Sequence, residues 1–211
     1  MPERKKVLFG PWQDVTGDRE RDALIVALTA IEQREGERRG WDQPARLWTV
    51  HLADIDSATV ELRPVPHRMW LAGTSNPADD LVVTDRRQAW PPDDRPRRAF
   101  ADAPDGIAAV ALMVEGWAVK ETDLTEEDER RRASGERVMH LHQKRVEVRT
   151  VCAVDINGYG YNLARRRGTD PELDLLDPEL MVAPPERGPG RVFRSLYALA
   201  HAAREGRWPA W

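Results

Sequence analysis

The sequence predicts an α+β domain, an antiparallel sheet of about 4-5 strands with helices packed on one face. Three observations predict it. Apolar residues recur at helical spacing near both ends of the chain, they alternate residue by residue in between, and an Asn157-Gly158 pair joins two alternating runs. The chain of 211 residues is long enough to bury one sizeable core. It reads as a single domain, 1–211, with an irregular N-terminal arm (1–16), a long Pro-rich insertion (64–104) and an aromatic C-terminal tail (207–211).

The elements follow in order. Leu24, Ala27, Leu28 and Ile31 form one stripe of a helix that begins near Asp18. Arg38 and Arg39 give it a basic last turn and Gly40 stops it. Arg46–Asp54 alternates as a strand, and Thr59–Val65 pairs with it through a turn at Asp56-Ser57. The insertion holds nearly half of the sixteen prolines, and Asn76-Pro77 is placed to open a helix over Pro77–Ala89. Ile107–Val119 is apolar on both faces over its first half, which marks a central strand. Thr125 and Asp128 have capping-box spacing at the start of a charged, solvated helix.

The segment from Arg145 to Arg167 carries the hairpin. A two-residue turn at Asn157-Gly158 sets Ile156 opposite Tyr159, Val154 opposite Tyr161 and Cys152 opposite Leu163, all on one side. On the other side lie Arg145, Glu147 and Arg149, with Arg166 across from Arg149. Pro171–Gly190, acidic and then Pro/Gly-rich, reads as a surface loop. Val192–Arg204 closes the fold as an amphipathic helix through Leu196 and Leu199.

Composition excludes several classes. Hydrophobic residues make up 41% and charged residues 32%, the balance of a folded chain. A net charge of −4 argues against a nucleic-acid partner. The longest apolar run, Ile107–Val114, falls far short of the roughly 18 residues of a membrane span, so no membrane role is expected. The single cysteine, Cys152, forbids an internal disulfide and a Cys-based zinc site. Val7-Leu8-Phe9 is too short for a signal-peptide core. The expected location is therefore the cytoplasm, or a virion or assembly built there. Arg is abundant, Lys5, Lys6, Lys120 and Lys144 are the only lysines, and this bias matches a high-GC genome.

No motif calls for a cofactor. No serine has a nucleophile-elbow context, and Cys152 falls on a core face as an inert thiol. Two arginines facing each other need an anion or a carboxylate between them, and Glu147 and Glu115 are the candidates. The face containing Glu115, Arg145, Glu147, Arg149 and Arg166 reads either as a solvated surface with internal ion pairs or as a docking patch, since Arg suits carboxylates and phosphates. His140 and His142, two apart on an extended segment, point the same way and suit a shared metal with a carboxylate. The alternative reading is a pair of turn histidines. Eight tryptophans against three Phe and three Tyr are unusual. Trp48 and Trp117 fall on strands as core. Trp12, Trp41, Trp70 and Trp90 fall in irregular segments and pin loops. Trp208 and Trp211 end the chain, where such area needs a groove or a partner.

The segments Glu115-Gly116-Trp117-Ala118-Val119, His140-x-His142-x-x-Arg145-Val146-Glu147-x-Arg149, Ala153-Val154-Asp155-x-x-Gly158 and Arg165-Arg166-Arg167-Gly168 resemble uncharacterised proteins of actinobacteria and their phages and mobile elements. The run Gly40-Trp41-Asp42-Gln43-Pro44-x-Arg46-Leu47 looks similar to a helix-to-strand junction of the same group. The resemblance touches about half the chain and implies no particular activity. The expected function is a non-enzymatic protein-interaction or assembly component, with a protein partner or self-association. The alternative is a metal-dependent hydrolase or nuclease using His140, His142 and a nearby carboxylate.

Overall fold

A computed structural model describes residues 17–54, 59–66, 107–133, 136, 138–183 and 190–205. The arm, the turn at Asp56-Ser57, the Pro77–Ala89 helix and the tail with Trp208 and Trp211 lie outside the described residues. The elements are α1 (Gly17–Arg39), β1 (Arg46–Asp54), β2 (Thr59–Val65), β3 (Ile107–Ala118), α2 (Glu126–Ala133), β4 (Val146–Asp155), β5 (Gly160–Arg166), β6 (Glu172–Leu176), α3 (Pro178–Val182) and α4 (Arg191–Glu205). Gly40 ends α1 with φ 69°, and its N–H donates to the Gly36 carbonyl, as a left-handed C-terminal stop requires. Thr125 and Asp128 exchange the two bonds of a capping box at α2.

The α+β class holds, with six antiparallel strands in the order β2-β1-β3-β4-β5-β6. β3 is central, paired with β1 on one side and β4 on the other. Helices cover both faces of the sheet, where the sequence suggested one. Against α1, through Leu24, Ala27, Leu28 and Ile31, lie Trp48, Val50, Ala109, Ala111, Met113, Val151, Ala153, Tyr161 and Leu163. Against α4, through Phe193, Leu196, Leu199 and Ala200, lie Leu47, Val110, Leu112, Cys152 and Val154. The reason was already visible in Ile107–Val114. A strand apolar on both faces needs cover on both, at roughly 25 cal/mol for each Å² removed from water.

The hairpin forms one residue out of the expected register. Ala153 pairs with Tyr161, Val151 with Leu163, Cys152 with Asn162 and Arg149 with Arg165. The loop is Ile156-Asn157-Gly158, with the Asp155 N–H donating to the Tyr159 carbonyl and the Gly158 N–H to the Asp155 carbonyl. Gly158 has φ 90°, so this is a three-residue turn closed by a left-handed glycine. Asp155 selects it, because its Oδ1 accepts from the N–H groups of Asn157 at 2.8 Å and Tyr159 at 2.9 Å. The shift moves Tyr161 and Leu163 to the face opposite Cys152 and Val154.

The segment expected as a loop after Pro171 instead forms β6 and α3. Leu173 packs toward the α1 side and Leu176 toward the α4 side. Glu172 and Asp174 are exposed, charged residues on an edge strand, which discourage further pairing. Pro178 opens α3 at a position where a missing N–H costs nothing. Among the described residues, no helix is long and apolar enough to cross a membrane.

Candidate functional site

The apolar stripe of α1 does not stop at Ile31. Glu32 and Glu35 continue it, and both are buried. Glu32 meets Arg149 of β4 and Arg165 of β5, and Glu35 meets Arg46 at the start of β1, where the sheet face changes from apolar to charged. Arg149 is the centre of this layer, 1% exposed and among the largest fully buried side chains. Its Nε donates to Glu115 Oε1 at 2.7 Å, and Nη2 lies 2.6 Å from the same oxygen. Nη1 reaches Glu32 Oε1 at 3.4 Å, and Nη2 also donates to the Gly40 carbonyl. The guanidinium sits 4.7 Å from the centre of the Trp41 ring. Gly36 is required beneath it, since a Cβ there would collide with Arg149 Nη1.

Arg149 and Arg165 face each other, and Glu32 lies between them, its Oε1 accepting from Arg165 Nε at 2.8 Å. The need for a bridging carboxylate was therefore legible, but the facing residue was not. Arg166 pairs with Val148 and is exposed on the opposite face. Glu115 anchors Arg149 as one of the two carboxylates proposed, and its Oε2 also accepts the Gln43 N–H at 2.8 Å, tying down the loop after α1.

Beyond this buried layer the same face opens to solvent. Glu147 Oε2 lies 2.5 Å from Arg167 Nη1. Arg145 stacks over the Trp117 ring at 4.8 Å, and Arg167 lies 5.6 Å from the Trp41 ring centre. Trp117 is 44% exposed, because β3 runs past the end of α1. This corrects its expected place in the core; Trp48 is buried as expected. Beside the exposed strip lies a cleft of about 710 Å³ lined by Glu32, Gly36, Trp41, Arg165, Thr169 and Asp170 among others. Such a volume is within the range of ligand pockets. Sequence reasoning missed Glu32, Gly36 and Arg165. The signal was the pair of carboxylates on the core stripe of α1, one and four residues after Ile31.

The histidines do not take the extended geometry a shared metal needed. Met139–Leu141 is a 3₁₀ turn, in which residues two apart diverge. His140 is exposed. His142 Nδ1 accepts the Lys144 N–H at 3.1 Å, and its Nε2 is 3.9 Å from Asp128. Among the described residues, no group of three His, Cys, Asp or Glu is placed to hold a metal.

A second polar cluster sits at the other end of the sheet. Tyr161 donates its hydroxyl to Asp155 Oδ2 at 3.0 Å. Burial raises the Asp155 carboxyl to about 6, against the pull of its hydrogen bonds. Glu20 is raised too, first by burial and then by Asp155. Burial alone pushes the Cys152 thiol up to about 12, so it is inert as a nucleophile at neutral pH. Searches for a matching family model, a matching curated protein and a matching solved structure each give no match for this chain.

Proposed function

We propose that this protein is a non-enzymatic interaction or assembly component of an actinobacterium or actinophage, docking a different protein through the strip Trp41, Trp117, Arg145, Glu147 and Arg167. The observation that carries the reading is Trp117. A large aromatic ring, 44% exposed, stands at the end of a central strand, clad by Arg145. Trp and Arg are the side chains that dominate interface energetics, and a ring held by a stacked guanidinium loses little freedom on binding. Arg149 and Glu115, first read as members of the docking face, support the strip from below.

The test compares wild type with Trp117→Ala and Arg145→Glu as baits against extract of a high-GC actinobacterial host. The expected result is a partner retained by wild type and lost from both variants, with melting temperatures within about 2 °C of wild type, as suits surface substitutions. An unchanged set of retained proteins would overturn the reading. Sedimentation equilibrium of the purified protein checks the alternative of self-association, and dimerisation sensitive to Trp117 would replace the partner with a second copy.

A further inference from the structure

We infer that the first turn of α1 is a pH-operated latch on the β4–β5 hairpin, closed while Glu20 and Asp155 share a proton and released when that proton is lost. The two elements meet in a defined place. The Arg21 guanidinium lies 4.3 Å from the centre of the Tyr159 ring. Leu24 belongs to the same core as Tyr161, with Ile25 and Tyr159 packed against it. Two acids are buried at this junction. Glu20 of α1 is 7% exposed, and Asp155 at the end of β4 is 4% exposed. The cation that acts on Glu20 is Arg21. It is stacked on Tyr159, and among the described residues it forms no ion pair with either acid.

The two carboxyls are not equivalent. Asp155 is committed to the hairpin, its Oδ1 accepting the Asn157 and Tyr159 N–H groups at 2.8 and 2.9 Å and its Oδ2 the Tyr161 hydroxyl at 3.0 Å. Glu20 Oε1 is buried without a hydrogen-bond partner among the described residues. A charged oxygen there has lost water and gained no donor, so a proton on the pair removes a penalty. Burial is the first cause that raises both carboxyls, Asp155 to about 6; Asp155 raises Glu20 further and Arg21 opposes it. Tyr161, raised by burial, stays a hydroxyl donor. The charged and titratable groups at the junction are thus Glu20 and Arg21 of α1, Asp155 of β4, Tyr159 of the turn and Tyr161 of β5. Two interacting carboxyls release their protons in linked steps. Because the folded values are raised, the closed latch is favoured at low pH, and that contribution is lost as pH rises through about 6. The first turn of α1 is the part that gives, since a helix end opens at lower free energy than paired core strands.

The test is amide hydrogen exchange of the full-length protein, followed by NMR at about pH 5 and about pH 7.5. Rates are expressed as protection factors, which removes the pH dependence of exchange itself. Protection at residues 21–24 should fall about tenfold across this range, the effect of one pKa unit between closed and open latch. That exchange should also be insensitive to low concentrations of urea, because a local opening exposes little surface. Unchanged protection would overturn the latch, and so would urea-dependent exchange at these amides, which would assign the change to global unfolding. Glu20→Gln keeps the shape and removes the charge, so its protection at residues 21–24 should not change with pH. A loss equal to that of wild type would overturn the role of Glu20. The carboxyl carbons of Glu20 and Asp155, titrated in wild type, decide the matter even if the variant fails to fold. The expected curves are linked, each group responding to the titration of the other. A simple Glu20 titration at its ordinary 4.5 would overturn the shared proton.

Discussion

A guanidinium removed from water must be neutralised by its immediate neighbours. Arg149 is neutralised by Glu115 and Glu32, with the Gly40 carbonyl taking another of its hydrogens. Arg149→Ala should therefore destabilise the protein by about 3–5 kcal/mol in urea unfolding, because it strands buried carboxylates. Gly36→Ala should also destabilise it, and the double variant should cost less than the sum, since the Cβ then enters vacated space. The pairing of Arg149 with a carboxylate was legible from charge pattern alone. Its burial was not, because nothing within Arg145–Arg149 says that α1 lies over it. Asp155 makes the second residue-scale prediction. Its folded carboxyl titrates near 6, above the ordinary 3.8, so the folded state holds the proton more tightly. The resulting stabilisation is full below pH 3.8 and is lost as pH rises through about 6, a change of roughly 3 kcal/mol. Glu20 acts in the same direction, while Asp123 and Asp128, lowered by Lys144 and by Thr125, act in the opposite one. Unfolding free energy measured from pH 4 to pH 7 should fall less steeply in Asp155→Asn than in wild type.

At the scale of elements, turn chemistry decided what hydrophobic pattern left open. Asn157-Gly158 marks a turn, and both a two-residue and a three-residue loop accommodate it. The Asp155 carboxylate tips the balance by accepting two loop N–H groups, and one residue of register follows. Gly158→Ala should cost about 1–2 kcal/mol by thermal unfolding, for a left-handed φ and a new Cβ 3.0 Å from Tyr197 Cε2. Asn157, exposed at the same turn, should tolerate Ala with a change of about 0.5 kcal/mol or less. α1, α4 and the strands β1 to β5 were legible because each carries a sustained period. β6 and α3 were hidden by their shortness and acidity, although Leu173 and Leu175 alternate and Pro178 follows Asp177 as a helix start does.

At the scale of the whole molecule, strand order nearly follows chain order. β3 to β6 form a run of sequential neighbours, and β1 and β2 form a hairpin of their own. The joint between them is the ladder of β1 with β3, together with the inner face of α1, which reaches Val151, Ala153 and Leu163 beyond that ladder. Residues 67–106 are the only covalent link across it. The protein is thus two interlocking pieces. One contributes a helix and two strands, and the other contributes four strands and the helix of the far face. Each piece alone would leave bare a surface shaped for the other. A cut in the Pro-rich connection would turn an internal seam into a recognition event between fragments, so the fold has the anatomy of a split protein whose reassembly rebuilds the Arg149 layer, since Glu32 comes from one piece and Glu115, Arg149 and Arg165 from the other.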